Sequence, residues 1–219
     1  MVDGLREYDL TLDEVFMVEL GTEKRKRKPH PWNQESMEEF SSLLRAARNL
    51  DANALAAIFD IHSPALYKFI SRFERDPIRA DRIVADVFAQ LMADLGAGQG
   101  PRTNIRLYLY RIAHRLVLEC FRDAHPHSPL EVAIAPSEKD EPASMQSRTE
   151  ERVMVEALLS TMNSELSEDQ RLVIILRFLE DFSLKETAEI IGKDVNNVKV
   201  IQNRGLTKLK KAMGMDDDT

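Results

Sequence analysis

The sequence predicts an all-α protein made of two small helical bundles joined by a flexible linker. Three observations carry this reading. Apolar residues recur with a helical period along most of the chain, and few segments alternate with period two. A serine is followed three residues later by Glu or Gln ahead of several periodic stretches, at Ser36 and Glu39, Ser167 and Gln170, and Ser183 and Glu186. That spacing lets each side chain satisfy a free backbone N–H of a first helical turn. Between the two periodic halves, residues 124–149 hold Pro126, Pro129, Pro136 and Pro142 and show no sustained period, as a linker does.

The elements follow in order. Residues 1–35 are expected to be a flexible extension, with one apolar stretch at Val15, Phe16, Met17 and Val18 and a basic run from Lys24 to Lys28. A first helix starts at Ser36 and aligns Met37, Phe40, Leu44 and Ala47. Asp51 caps a second helix with Leu55, Ile58, Phe59 and Leu66 as apolar positions, and Pro64 is expected to bend or interrupt it. Asp76 and Pro77 open a third, whose buried stripe is Ile83, Val84, Val87, Phe88 and Leu91. Gly96, Gly98, Gly100 and Pro101 form a loop. A fourth helix spans about 104–122, anchored by Ile105, Leu109, Ile112 and Leu116, with Phe121 off the stripe and arginines on the other side. Cys120 on this helix is expected to be a small packed residue. After the linker, helix returns near Glu150 with Val153, Ala157 and Leu158. A further helix carries Leu172, Val173, Ile175, Leu176 and Leu179. The boundaries expected are an extension over 1–35, a first bundle over 36–123, a linker over 124–149, a second bundle over 150–214 and an acidic tail over 215–219.

Composition removes several classes of function. The longest apolar run is Ala54 to Phe59, far short of the roughly 20 residues of a membrane span. Asp3, Arg6 and Glu7 interrupt the N-terminus, so no leader peptide is expected. A single cysteine permits no internal disulfide and suits a reducing cytoplasm. The five histidines are scattered, so no metal site and no cofactor are expected, and no catalytic constellation stands out.

The net charge of −7 conceals a pattern. Residues 102–122 hold Arg102, Arg106, Arg111, Arg115 and Arg122 against Glu119, a local balance of +4. Residues 193–211 hold Lys193, Lys199, Arg204, Lys208, Lys210 and Lys211 against Asp194, a balance of +5. The stretch between, 123–170, has eleven acids and three bases, or −8. Two basic segments separated by an acidic one suggest two phosphate-facing surfaces.

The most informative segment is Ser183 to Lys211. A short helix ending at Gly192 is followed by a longer basic helix capped by Asp194, the layout of a helix-turn-helix. Val195, Val198, Gly205 and Leu209 share one side, flanked by Ile201, while Asn196, Asn197, Lys199, Asn203 and Arg204 project outward. Asn and Lys can read base edges, and Lys and Arg can hold phosphates.

The stretch LSEDQRLVIILRFLEDFSLKETAEIIGKDVNNVKVIQNRGLTKLKK, Leu166 to Lys211, resembles region 4 of bacterial sigma-70 family initiation factors, with Ser167 in place of the usual proline. The upstream stretches DANALAAIFDIHSPALYKFISRFERDPIRADRIVADVFAQL and IRLYLYRIAHRLVLECFRD resemble region 2 of the same family. The two matches stand in the family's order with no intervening region 3, the plan of the extracytoplasmic-function group. The resemblance implies a factor that makes no covalent bonds. It would bind core RNA polymerase at the beta-prime clamp and beta flap, direct it to promoters and help separate the strands. The minus-thirty-five element would be read as duplex by Lys199, Val200 and Asn203, with Asn196, Asn197 and Arg204 nearer phosphate; Val200 could meet a thymine methyl. The minus-ten element would be held as single strand by Arg102, Asn104, Tyr108, Arg111, His114, Arg115 and Arg122, through aromatic stacking and phosphate contacts. Tyr110 belongs either to this set or to the core. The Gly96 to Asn104 loop would form a pocket for a flipped base. Asp81, Arg82, Asp86 and Gln90 on the third helix would face the polymerase. The sequence departs from the family at Arg82, Ala85 and Asp86, and at Tyr108, Arg115 and Glu119, which bears on polymerase contact and promoter preference. Such factors are commonly restrained by an anti-sigma protein, a further implied partner. The alternatives are a sigma-like docking protein that no longer opens promoters and a helix-turn-helix regulator that does not bind polymerase.

Overall fold

A computed structural model of the chain describes residues 34–124 and 157–214. All regular elements among them are helical. The N-terminal bundle is built from α1 (Gln34–Arg48), α2 (Ala52–Ile70), α3 (Pro77–Gly96) and α4 (Ile105–Ala124). The C-terminal bundle begins with α5, helical over residues 157–165. It continues with α6 (Glu168–Ile174), which runs into a π-helical turn at Ile175–Leu179, then α7 (Leu184–Ile191) and α8 (Val195–Ala212).

The helix starts are set by local chemistry. The Asp51 carboxylate accepts the Ala54 N–H at 2.8 Å, and that of Asp76 accepts the Ile78 N–H at 2.9 Å with Pro77 in the first turn. Ser167 with Gln170, and Ser183 with Glu186, each form a reciprocal capping box. Gly192 closes α7 at φ 66°, a left-handed conformation that glycine adopts without penalty. Asp194 caps α8 by accepting the N–H groups of Asn196 and Asn197.

Several expectations are corrected. The first helix begins at Gln34, so Ser36 lies inside it and does not precede it. Pro64 does not end α2, which continues to Ile70. Pro64 and Asp60 are both exposed, so the carbonyl left without its usual N–H partner lies on the solvated side of the helix. Phe59 is 43% exposed and meets the core only at its edge, where its ring lies 4.7 Å from that of Phe88. Leu179 and Val195 are exposed and not on buried faces, and Cys120 is exposed on the solvent side of α4. The basic run Lys24–Lys28, the helix expected from Glu150, the linker and the acidic tail lie outside the described residues.

Helices α2, α3 and α4 pack on one another around Ile58, Leu66, Phe69, Val87, Leu91, Ile105 and Leu109, all buried. In the C-terminal bundle, Val173, Ala188 and Val198 join α6, α7 and α8, with Leu184, Ile191 and Ile201 against them. The described residues from Glu38 onward form one compact unit. The two bundles are in direct contact, through α4 against α7.

Candidate nucleic-acid interface

Helix α8 divides its residues cleanly. Val198, Gln202, Gly205 and Leu209 are buried. Asn196, Asn197, Lys199, Val200, Asn203 and Arg204 are all exposed. Its far end is tied back by Lys208, whose ammonium donates to the Glu165 carbonyl at 3.1 Å. Beside it, Lys193 pairs with Asp169 at 2.9 Å, fixing the turn before α8 onto α6. The helix is therefore anchored at both ends while the polar groups of its outward side stay in solvent.

The α4 surface is mixed. Arg102, Arg111, Arg115 and Arg122 are exposed. The Tyr108 hydroxyl donates to Asp94 at 2.6 Å, and the Arg111 guanidinium lies 4.9 Å from the Tyr108 ring centre. Partial burial and the neighbouring Asp94 carboxylate push the Tyr108 hydroxyl up, so it stays a donor. Asn104 is committed twice: its carbonyl oxygen accepts the Leu107 N–H at 2.9 Å, and its amide donates to Glu186 of α7 at 3.3 Å. His114 is largely covered and hydrogen-bonded to the Ile190 backbone of α7. Burial lowers its pKa, with Ile190 and Asp169 acting in the opposite sense. The loop before α4 is tight at Gly100, where an added Cβ would come within 2.3 Å of Leu95.

On α3, Asp81, Arg82 and Asp86 are exposed on one side, and the Gln90 amide donates to Asp94 at 2.8 Å. Ile78 and Met92 on the same helix are exposed apolar groups. Tyr110 is resolved in favour of the core: it is 1% exposed and its ring lies 5.0 Å from Phe69.

Sequence reasoning missed the cluster where the bundles meet. Arg106 does not lie with the outward arginines. Its guanidinium donates to the Glu180 carbonyl and lies 4.0 Å from the Phe182 ring centre. The Tyr110 hydroxyl donates to the Glu180 carboxylate at 2.6 Å, and its ring meets Phe182 edge-on at 4.8 Å. Arg72 of the short segment after α2 stands 3.7 Å from the same carboxylate, an ion pair beyond hydrogen-bond range. The only signals for this in the sequence are an acid and a phenylalanine in a helix-connecting turn, which no periodicity links to α4. A cleft of about 570 Å3 is lined by Tyr108, Arg111, His114 and Arg115 of α4, by Glu189 of α7 and Gly192 after it, and by Gln90 and Asp94 of α3, and includes none of these cluster residues. Among the described residues, no cluster of His, Cys, Asp or Glu is placed to hold a metal, and no helix is long and apolar enough to cross a membrane.

Residues 164–211 match the family described as sigma-70, region 4. The sequence is similar to the ECF RNA polymerase sigma factor SigX of Bacillus subtilis, 24% identical over 159 residues, covering 71% of this chain and 81% of SigX. It is similar to SigW of the same organism, 26% identical with 78% and 94% covered, and to SigK of Mycobacterium sp. (strain KMS), 25% identical with 79% and 90% covered. Among solved structures, the fold is that of CnrH in complex with the cytosolic domain of CnrY, with a TM-score of 0.58 and 21% identity over 81% of this chain and 99% of that one. It is also that of RpoE in complex with the anti-sigma factor NepR from Bartonella quintana, with a TM-score of 0.53 and 21% identity over 74% and 97%. The helix-turn-helix and the bundle before it thus define a transcription-initiation class. Along most of its length the chain is thus similar to sigma factors of the extracytoplasmic-function type.

Proposed function

We propose that the protein is a sigma factor that binds core RNA polymerase, directs it to specific promoters and assists promoter opening. The observation that carries this most directly is α8. All six residues assigned to the minus-thirty-five element are exposed, while the opposite side is buried against α6 and α7. A free basic face on a rigid second helix is what major-groove reading requires. Residues 36–123 supply polymerase and minus-ten contacts, 150–214 supply the minus-thirty-five contact, and 124–149 joins them. Arg111, Arg115 and Arg122 hold strand phosphates, Tyr108 offers a ring for base stacking, and Asp81, Arg82 and Asp86 face the polymerase clamp. The protein acts in the cytoplasm, makes no covalent bond in the process and is restrained by an anti-sigma partner, as the solved relatives are bound by CnrY and NepR.

The test is reconstitution with core RNA polymerase, followed by transcription of genomic fragments and mapping of the RNA 5′ ends. Discrete starts that depend on the protein are expected. Absence of polymerase binding would overturn the reading, and binding without an open complex would favour a docking protein instead.

A further inference from the structure

We propose that Asp94 is a positioning residue for the minus-ten strand, its carboxylate holding the Tyr108 ring in the orientation that stacks on an unpaired base. This role rests on the sigma-factor reading and deepens it, since that reading gives Tyr108 to the separated strand and gives Asp94 no part. Asp94 stands near the end of α3. One of its carboxylate oxygens accepts the Tyr108 hydroxyl at 2.6 Å, and the other accepts the Gln90 amide at 2.8 Å. Its backbone carbonyl accepts the Gln99 N–H at 2.8 Å. Helix α3, helix α4 and the loop between them therefore meet on one residue.

The end of α3 fixes where that carboxylate stands. Gly98 has φ 73°, a left-handed conformation, and turns the chain back on the helix. Its N–H bonds the Leu95 carbonyl at 3.0 Å while that of Gln99 bonds Asp94, the paired closure of a Schellman motif. Gly100 then lies so close to the Leu95 side chain that no Cβ would fit. A carboxylate this near a helix C-terminus is disfavoured by the helix dipole, and no basic residue stands in the last turn to offset it. Helix formation therefore does not account for an acid at this position, whereas its two side-chain donors do.

Each donor has a separate effect. Gln90 and Asp94 are four residues apart on α3, so their side chains are neighbours, and the Gln90 amide orients the carboxylate. The Tyr108 ring is only half-buried, and the torsion that turns such a ring is soft. A charge-assisted bond at the far end of the ring removes that freedom. Burial and the adjacent carboxylate raise the hydroxyl's pKa, so it remains the donor. The Arg111 guanidinium lies 4.9 Å from the ring centre, a cation already placed against the stacking group. Stacking on a ring fixed beforehand spends less of its energy on ordering the ring, which is what a preorganised site gains.

The experiment uses holoenzyme assembled from core RNA polymerase and the full chain. The probe is a single DNA strand carrying the minus-ten sequence of a promoter mapped with the wild-type factor, with 2-aminopurine placed at each position in turn. Stacking quenches this base, and the wild type is expected to quench it at one position. Asp94→Ala and Tyr108→Phe are each expected to lose most of that quench and to bind the strand about tenfold more weakly, the scale of a hydrogen bond to a charged group. Combined, they are expected to bind no more weakly than either alone, because each removes the same bond. Asp94→Asn, whose amide oxygen can still accept the hydroxyl, is expected to lose less than Asp94→Ala. An acid with a merely structural role would keep its effect when the hydroxyl is absent, so additive losses overturn the proposal. Wild-type quench and affinity in Tyr108→Phe overturn it as well. Helix content by circular dichroism identifies a variant that fails to fold, and if Asp94→Ala does so, Tyr108→Phe decides. A wild-type holoenzyme that captures no such strand would overturn the sigma-factor reading along with this role, whereas capture that these substitutions leave unchanged overturns this role alone.

Discussion

The two basic helices, α4 and α8, carry similar side chains under opposite conditions. On α8 the six residues assigned to DNA are all in solvent, and what anchors the helix lies on its other side. On α4 the assigned residues are divided between solvent and internal bonds. Arg111, Arg115 and Arg122 are exposed, whereas Asn104, Tyr108 and His114 bond to Glu186, Asp94 and the Ile190 backbone. The difference suits the two tasks proposed for these helices. A helix that reads duplex DNA needs a rigid surface that is ready in advance. A helix that holds a separated strand is needed only after opening, so its surface can be occupied by another part of the chain until then.

The strongest way to break this comparison is to ask whether the two bundles are energetically joined. Phe69 is fully buried, with ring centres of Phe73 and Tyr110 at 5.3 and 5.0 Å, and Tyr110 reaches on to Phe182 in the other bundle. Phe69→Ala is expected to cost about 3–5 kcal/mol, the range for deleting a buried aromatic ring. Denaturant unfolding, followed by probes in each bundle, should show both midpoints falling together. A midpoint that falls in the N-terminal bundle alone would show that the contact between them carries no coupling.

Next in size is a pH effect confined to the N-terminal side. His62 is buried in α2, and burial, with a smaller contribution from the Arg106 charge, lowers its pKa to about 4. The unfolded chain takes up this proton near pH 6.5, and the folded chain refuses it until about pH 4. Stability from this group is therefore full above pH 7 and is lost as pH falls from about 6.5 toward 4, by roughly 3 kcal/mol at most. Comparing wild type with His62→Gln isolates the contribution from the carboxylates that titrate in the same range. The acid-side loss should be shallower in the variant, and parallel curves would refute the assignment.

What could be read in the sequence was whatever is decided locally. The capping boxes at Ser167 and Ser183, the caps at Asp51, Asp76 and Asp194, and the glycine stop at Gly192 each involve residues a few positions apart, and all are present. The stripe of Ile83, Val84, Val87, Phe88 and Leu91 is buried as its period requires. The misses are long-range. Arg106 was grouped with the outward arginines because helical spacing cannot tell solvent from a second bundle. The residues it meets are more than 70 positions away in sequence. Val195 was counted with the buried side of α8, yet it is the first residue of that helix and is exposed, and Val198 is the first of its residues to enter the core. Pro64 does not interrupt α2, because a proline on a solvated helix face costs less than one facing the core.

The DNA-facing comparison is sharpened by substitutions that should separate the two helices. Asn203→Ala on α8 is expected to weaken binding of the polymerase complex to its minus-thirty-five duplex by about 1–3 kcal/mol, the range for a base contact. Lys199→Ala should also lower the salt dependence of binding by about one unit of slope if it meets a phosphate. Arg115→Ala on α4 should leave duplex binding intact and reduce strand opening, followed by permanganate reactivity of unpaired thymines. Equal losses of duplex binding for Asn203→Ala and Arg115→Ala would abolish the division of labour.

The smallest effect concerns how α8 is held. Gly205 lies in the middle of the helix and on its buried side, where glycine weakens a helix by leaving the unfolded backbone more freedom. An added Cβ would stand 3.5 Å from the Cβ of Gln170 and 3.5 and 3.6 Å from the Ile174 side chain, ordinary contact distances. Gly205→Ala should therefore stabilise the protein by about 0.5–1 kcal/mol, because the methyl fills space against α6 and the unfolded chain is restricted. Gly205→Leu has no room for its branch between α8 and α6 and should destabilise instead. Affinity for duplex DNA should stay unchanged in Gly205→Ala, since the reading residues lie on the opposite side of the helix. A fall in both stability and affinity would mean that α8 must approach α6 more closely when bound to DNA than it does here, and the view of α8 as a surface fixed in advance would have to be given up.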